Sequence, residues 1–360
     1  YEISCSLVGS EMCIRDSKQT VVRLALVGII PLFLILLFLW AGGWLTPERL
    51  TSDKLVTVLQ QSGGVHQGYR RNHAKGMCVL GSFISNGNAS TLSRALLFSK
   101  GETAVTGRLA IAGGNPAAPD YTVPVRSMAL SFTQANGEQW RTGMNAMPFF
   151  PVSSVESFYE LQTATLPDAK TGKPNPEKVN AFVMSHPEIK PFFAWAKQYI
   201  PSSSWASDRF NSLNAFRLID QTGNEHLVRW SMVPHTRFVP ISDIDKQNKD
   251  FLQQDLRQRL EQGTLEWDLV FTLAQADDKG NDSTKAWPAN RKTINAGTLV
   301  LNKAIPQQQG PCNDINYDPL ILPDGIAASD DPILNARSSA YAKSYNLRTH
   351  EQAQQAGEHL

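Results

Sequence analysis

Hydrophobic residues along the chain form one unbroken run and a series of shorter alternations. The run, Leu24 to Leu45, holds 22 residues and no charge. As a helix it would span about 33 Å, enough for a hydrocarbon core of ~30 Å. Trp40 and Trp44 stand where an interface belt belongs. A cleavable signal peptide is the competing reading. Its apolar region is ordinarily shorter, and no small-x-small cleavage site precedes Thr46. Length therefore favours an uncleaved single-pass anchor over residues 18–46. Lys18 and Arg23 precede the span, which puts the amino terminus in the cytoplasm and the body outside it.

Beyond the anchor the period changes. Pro47 to Gln61 predicts a short helix with Leu50, Leu55 and Leu59 on one side. Met77–Ile84, Ala104–Ala112 and Val125–Phe132 are apolar and β-prone, and Gly113-Gly114-Asn115-Pro116 and Asn136-Gly137 supply turns among them. Pro176 to Ile200 reads as helical, broken near His186-Pro187. Val228–Val233 and Trp267–Leu273 are further strands. Between them Phe251, Leu252, Leu256 and Leu260 recur at helical spacing. The fold class is α+β, rich in β. It occupies residues 47–348, with 349–360 as a tail.

Composition narrows the function classes. The 360 residues are 42% hydrophobic and 19% charged, as in ordinary globular proteins. The 34 basic and 33 acidic side chains leave a formal charge of +1, without the basic footprint of a nucleic-acid binder. No CxxC pair occurs, which argues against a zinc ribbon or thioredoxin-type site. Cys78 and Cys312 pair if the body lies outside the cytosol. Otherwise they are buried free thiols packing as small hydrophobes, the reading preferred on composition. The chain opens at Tyr1, and Ser6 to Ser17 resembles translated sequencing adapter, so residues 1–17 are set aside as non-native.

Four separated motifs carry candidate chemistry. They are Arg70-Arg71-Asn72-His73-Ala74-Lys75-Gly76; Val125 to Phe132 followed by Gly143-Met144-Asn145 to Phe150; Asp282 to Pro288; and Tyr317-Asp318-Pro319 through Arg337-Ser338-Ser339-Ala340-Tyr341 to Arg348. In this order and spacing the set resembles the catalase superfamily. It is most similar to the short catalase-related peroxidases with an amino-terminal anchor or export segment. The resemblance implies an antiparallel β-barrel with surrounding helices and a haem b cofactor. It also implies peroxidase activity on small organic peroxides and hydrogen peroxide, with weak catalase activity beside it and an unidentified electron donor. It makes His73 the distal acid/base residue and Asn145 the distal asparagine. Phe158 becomes the aromatic facing the haem, and Arg70, Arg108 and Arg348 the propionate ligands. Tyr341 becomes the phenolate ligand of the iron, with Arg337 as the cation beside it. One departure stands out: where catalases carry a serine bonded to the distal histidine, this chain has Ala110. The expectation is a less tightly held His73. Rival readings are a catalase-fold hydroperoxide isomerase or lyase, and a non-enzymatic haem-binding or sensor protein. Oligomeric state is left open.

Overall fold

The computed structural model describes residues 9–42, 44–45 and 49–357, with side chains from residue 21 onward. The chain divides into two units, Tyr1–Thr51 and Ser52–Leu360. In the first, helix α1 covers Gly9–Ala41. Its segment Val21–Ala41 has a mean hydropathy of 2.8 and buries none of its surface. By length and composition it is able to cross a membrane, as many signal sequences also are. Trp44 and Leu45, placed in the anchor by sequence, lie beyond the helix end. Pro47 falls outside the described residues.

The second unit is built on one antiparallel sheet. Its strands are β1 (Gly76–Ser85), β2 (Gly101–Ile111), β3 (Arg126–Thr133), β4 (Gln139–Asn145), β5 (Phe210–Asn211), β6 (Phe216–Ile219), β7 (Glu225–Pro234), β8 (Leu265–Leu273), β9 (Thr293–Pro306) and β10 (Ile326–Ala328). The order is β10-β6-β7-β5-β4-β3-β2-β1-β9-β8, and β7 also pairs with β8. That last pairing closes the sheet into a barrel, which removes the open edges a long sheet would expose. Strands β6 and β10 extend from β7 outside the ring.

Alternation along each strand sorts the side chains. Met128, Leu130 and Phe132 of β3 and Trp140 and Met144 of β4 point into one buried core. That core is unusually aromatic. Trp140 stacks on Phe132 with ring centres 4.7 Å apart and meets Trp230 edge-on at 5.1 Å. Phe271 meets Phe98 edge-on at 5.4 Å. The intervening residues, among them Arg108, Ser127, Gly143 and Asn145, face outward from the barrel.

The unit's helices are α2 (Ser52–Gly63), α3 (Val155–Ala164), α4 (Pro176–Ser185), α5 (Lys190–Gln198), α6 (Phe251–Gln262) and α7 (Pro332–Gly357). Helices α2, α3, α5 and α7 gather at that outer wall, while α6 joins the barrel core through Phe251, Leu252 and Leu256. The break expected at His186-Pro187 separates α4 from α5. Helix α2 begins at Ser52, so Leu50 is not part of it, while Leu55 and Val56 are buried as its inner face. Helix α7 runs on without a break past Arg348, and its far end packs on the chain before β1 through a salt bridge from Arg71 to Glu351.

The free-thiol reading of the cysteines is overturned: Cys78 and Cys312 form a disulfide across 234 residues. Both are fully buried and clustered with Tyr317. The bond ties β1 to the segment that precedes α7. Gly81 marks a close approach: a Cβ there would collide with the Val300 carbonyl, where the β1–β9 register shifts. Replacing both cysteines by serine should lower stability by about 2–4 kcal/mol, as expected for a long closed loop. Heat denaturation checks this, and reductant should reproduce the shift in the unmodified chain. Equal melting temperatures would show that the bridge contributes nothing.

Candidate active site

The outer wall and α7 enclose a cavity of about 490 Å³. All eight residues singled out by sequence line it: Arg70, His73, Arg108, Asn145, Phe158, Arg337, Tyr341 and Arg348. Strand register explains how distant segments converge. One row across the sheet runs Gly76, Ala110, Ser127, Asn145; a second runs Cys78, Arg108, Ala129, Gly143. Both rows face the cavity, because they are two residues apart on every strand.

His73 stands just before β1, in a left-handed backbone conformation with φ of 55°. A non-glycine residue there needs local support. Asn72 gives it: the Asn72 side-chain oxygen accepts from the His73 N–H at 2.8 Å and from the Gly113 N–H at 2.7 Å. Lys75 anchors the next turn through Asp120 at 2.8 Å and Asp250 at 2.7 Å, and donates to the Ala118 and Lys249 carbonyls. The expectation of a loosely held His73 does not survive. Ser127 Oγ lies 3.0 Å from His73 Nδ1, so the next strand in the same row supplies a hydroxyl that Ala110 lacks. Burial pushes the His73 imidazole down to about 3, and the nearby Arg108 and Arg337 cations act in the same direction.

Arg337 projects from α7 toward the second row. Its guanidinium donates to the Asn214 side-chain oxygen at 2.6 Å, to the Gly143 carbonyl at 2.8 Å, and to the Tyr341 hydroxyl at 3.4 Å. Asn214 in turn donates to Asp331, whose other oxygen accepts from the Ile333 N–H at the start of α7. The helix start and the Arg337–Tyr341 pair are thus held by one chain of hydrogen bonds. Position 143 is tight: a Cβ would lie 3.0 Å from Arg337 Nη2 and 3.4 Å from the Tyr341 hydroxyl, so a larger residue would push on that pair.

A third group of residues is basic. Arg70 Nη2 donates to the carbonyls of Cys312 and Ile315 at 2.9 and 3.0 Å, so the disulfide-tied segment orients it. Arg108 donates to the Gln307 side chain at 2.9 Å. Arg348 is 1% exposed, and its Nε and Nη1 have no partner. No aspartate or glutamate is among the lining residues. Burial lowers all three arginines, Arg108 to about 9, and neighbouring guanidinia act in the same direction. Asp314 acts back on Arg70 and Arg348 from outside the cavity lining. Buried cations with so little counter-charge are costly, so this end suits an anionic ligand. Tyr317 lies among them with its phenol pushed upward by burial.

Apolar side chains complete the enclosure: Phe158 and Leu161 from α3, Ile189, Phe192, and Leu55, Val56 and Leu59 from α2. Phe150 packs on Phe158 with ring centres 5.7 Å apart, and its N–H donates to the Ser283 carbonyl. The Asp282–Pro288 motif therefore acts through Phe150 and stays outside the cavity. Sequence reasoning assigned no role to Ser127, Asn72, Gln307 or Tyr317. Asn72, Ser127 and Tyr317 all sat inside quoted motifs, but the role of Ser127 required the strand register.

A closed antiparallel barrel carrying an apolar cavity with a basic end, a buried histidine and an arginine-paired tyrosine defines the class. The catalase family model matches residues 66–356. A catalase-related peroxidase of Synechococcus elongatus is 40% identical over 83% of this chain and 89% of its own length. One from Mycolicibacterium paratuberculosis is 29% identical over 83% and 95%. Among solved structures, a bacterial catalase aligns with a TM-score of 0.69 at 22% identity, over 78% of this chain and 57% of that one. Catalase A of Saccharomyces cerevisiae aligns with a TM-score of 0.70 at 19% identity, over 78% and 61%. The chain belongs to the catalase family, whose members act on peroxide as oxidoreductases and ordinarily carry haem b.

The His73 environment gives a pH test. Its folded value lies below the ordinary 6.5, so the unfolded chain takes up the proton first. Its contribution to stability is complete above about 6.5 and declines as the pH falls toward about 3. Thermal melts across this window should show a steeper acid loss for the unmodified chain than for His73→Gln. Parallel curves would mean that His73 titrates normally.

Proposed function

We propose that the chain is a haem-dependent peroxidase that reduces small organic peroxides and hydrogen peroxide, with weak catalase activity beside it. The carrying observation is the cavity itself, where unpaired buried arginines, a buried neutral histidine with an asparagine in the adjoining row, and an arginine-paired tyrosine face one space. The donor set fits haem b. Arg70, Arg108 and Arg348 offer counter-charge to two propionates. Arg348 Nε and Nη1 are orphaned buried donors of the kind such an anion satisfies. Phe158 offers an aromatic face, and Tyr341 an anionic ligand. Identity of 40% and 29% to catalase-related peroxidases, against 24% to 27% to catalases, favours peroxidase work over fast disproportionation.

Haem supplies the iron at which the peroxide O–O bond breaks. His73, neutral and buried, takes the proton from one peroxide oxygen and returns it to the departing one. Asn145 orients the peroxide by its amide N–H, and its Oδ1 is buried without a partner. Arg337 holds positive charge beside the Tyr341 oxygen, which favours the anionic form of a phenolic ligand. Overall, ROOH, two protons and two electrons from an external donor become ROH and water.

Two features support a reading in which the chain is anchored and its body lies outside the cytoplasm. The apolar helix Val21–Ala41 serves as a single-pass anchor. The buried disulfide suits an oxidising compartment, so the catalytic body is placed outside the cytoplasm.

Full chain reconstituted with haem should consume cumene hydroperoxide and hydrogen peroxide in the presence of a reducing dye. His73→Ala should keep haem yet lose activity on the order of 10²–10⁴-fold, the worth of a general acid/base. Asn145→Ala should lose roughly ten- to a hundredfold, as for one buried hydrogen bond. Full activity in His73→Ala would favour a non-enzymatic haem protein, and isomerised product without reductant would favour an isomerase. For the anchor, the chain should stay with membranes through high-salt and carbonate washes. Recovery of mature protein cut near residue 45 would identify a signal peptide instead.

A further inference from the structure

A neutral imidazole carries one N–H, and which nitrogen holds it decides whether the ring can act as a base toward the cavity. For His73 the choice is made by what faces the ring. Arg108, Arg337 and Arg70 are the charged groups that act on it, and cations cannot accept a hydrogen bond. Two acceptors remain. One is the Ile111 backbone, next to Ala110 on β2, whose hydrogen bond favours the proton-bearing ring. The other is Ser127 Oγ, 3.0 Å from Nδ1.

We propose that Ser127 is the positioning residue of the distal imidazole: its hydroxyl accepts the Nδ1–H of His73 and leaves Nε2 as the free base facing the cavity. The sheet makes this possible. Ala110, Ser127 and Asn145 are successive partners in one row, so a hydroxyl on β3 stands beside the place that the catalase pattern fills from β2. Ser127 is buried beside the ring, on the wall of the same cavity. It also lies in register with Asn145, so one row sets both the ring's tautomer and the amide beside it. The inference rests on the peroxidase reading of this cavity, since only a base has need of one tautomer.

The test is nitrogen-15 NMR of the full chain in detergent, haem-free, with His73 signals assigned by their loss in His73→Gln. The expected result is a protonated Nδ1 and a bare Nε2 in the unmodified chain. Ser127→Ala should move both shifts toward averaged values. Ser127→Thr, and Ser127→Ala combined with Ala110→Ser, should restore the single tautomer. In haem-loaded chain the alanine variant should lose about tenfold in peroxide turnover at unchanged melting temperature, and the threonine variant should recover it. A proton on Nε2 in the unmodified chain would overturn the proposal, as would shifts that ignore Ser127→Ala. The first of these needs no Ser127 variant, so misfolding of the alanine variant cannot obscure the answer. If the shifts behave as expected but His73→Ala keeps full peroxide consumption, the peroxidase reading fails and the tautomer assignment stands.

Discussion

The closed barrel allows its wall two distinct faces, and the site depends on keeping them apart. Within β2, β3 and β4 the register runs without a shift, so every second residue is committed to the aromatic core and the others to the cavity. Trp140, Thr142 and Met144 lie on the inward side of β4 and alternate with Gly143 and Asn145. A slip of one residue would turn Asn145 toward the core. The stacked and edge-on aromatic rings inside make such a slip costly, because each buries a large side chain in a fixed geometry. The core therefore sets the site's precision from the side of the sheet that never meets substrate.

Charge is the second constraint. The protein places Arg70, Arg108, Arg348 and Arg337 around a space from which carboxylates are absent. Hydrogen bonds to carbonyls and amides orient three of these guanidinia without neutralising them. That arrangement raises the free energy of the ligand-free state and makes an anion with a flat apolar body a favourable occupant. Burial keeps His73 neutral, and Arg108, Arg337 and Arg70 act in the same direction.

Much of this was legible along the chain, and the gaps have physical causes. Strands β1, β2, β3, β7 and β8 and helix α6 announce themselves because one side of each packs on the core. Helix α7 does not. Its cavity-facing residues mix Ile333, Ala336 and Ala340 with Arg337, Tyr341, Ser344, Tyr345 and Arg348, so polar groups interrupt the apolar face that would mark a helix. Strand β9 was missed because bulges in its pairing with β1 and β8 interrupt its alternation. The eight site residues were found through motif order, which survives without knowledge of contacts. The role of Ser127 was not, because it depends on cross-strand register, and the Cys78–Cys312 pairing was the less favoured of two readings, because it is a contact across 234 residues.

The central claim is that this cavity holds haem with Tyr341 on the iron. Titrating haem into full chain in detergent, and into Tyr341→Phe alongside it, tests that claim most directly by absorption. The account expects one haem per chain with a high-spin ferric spectrum of the tyrosinate type, and a variant that loses most of its haem. Saturable binding with the same spectrum in both proteins would contradict it.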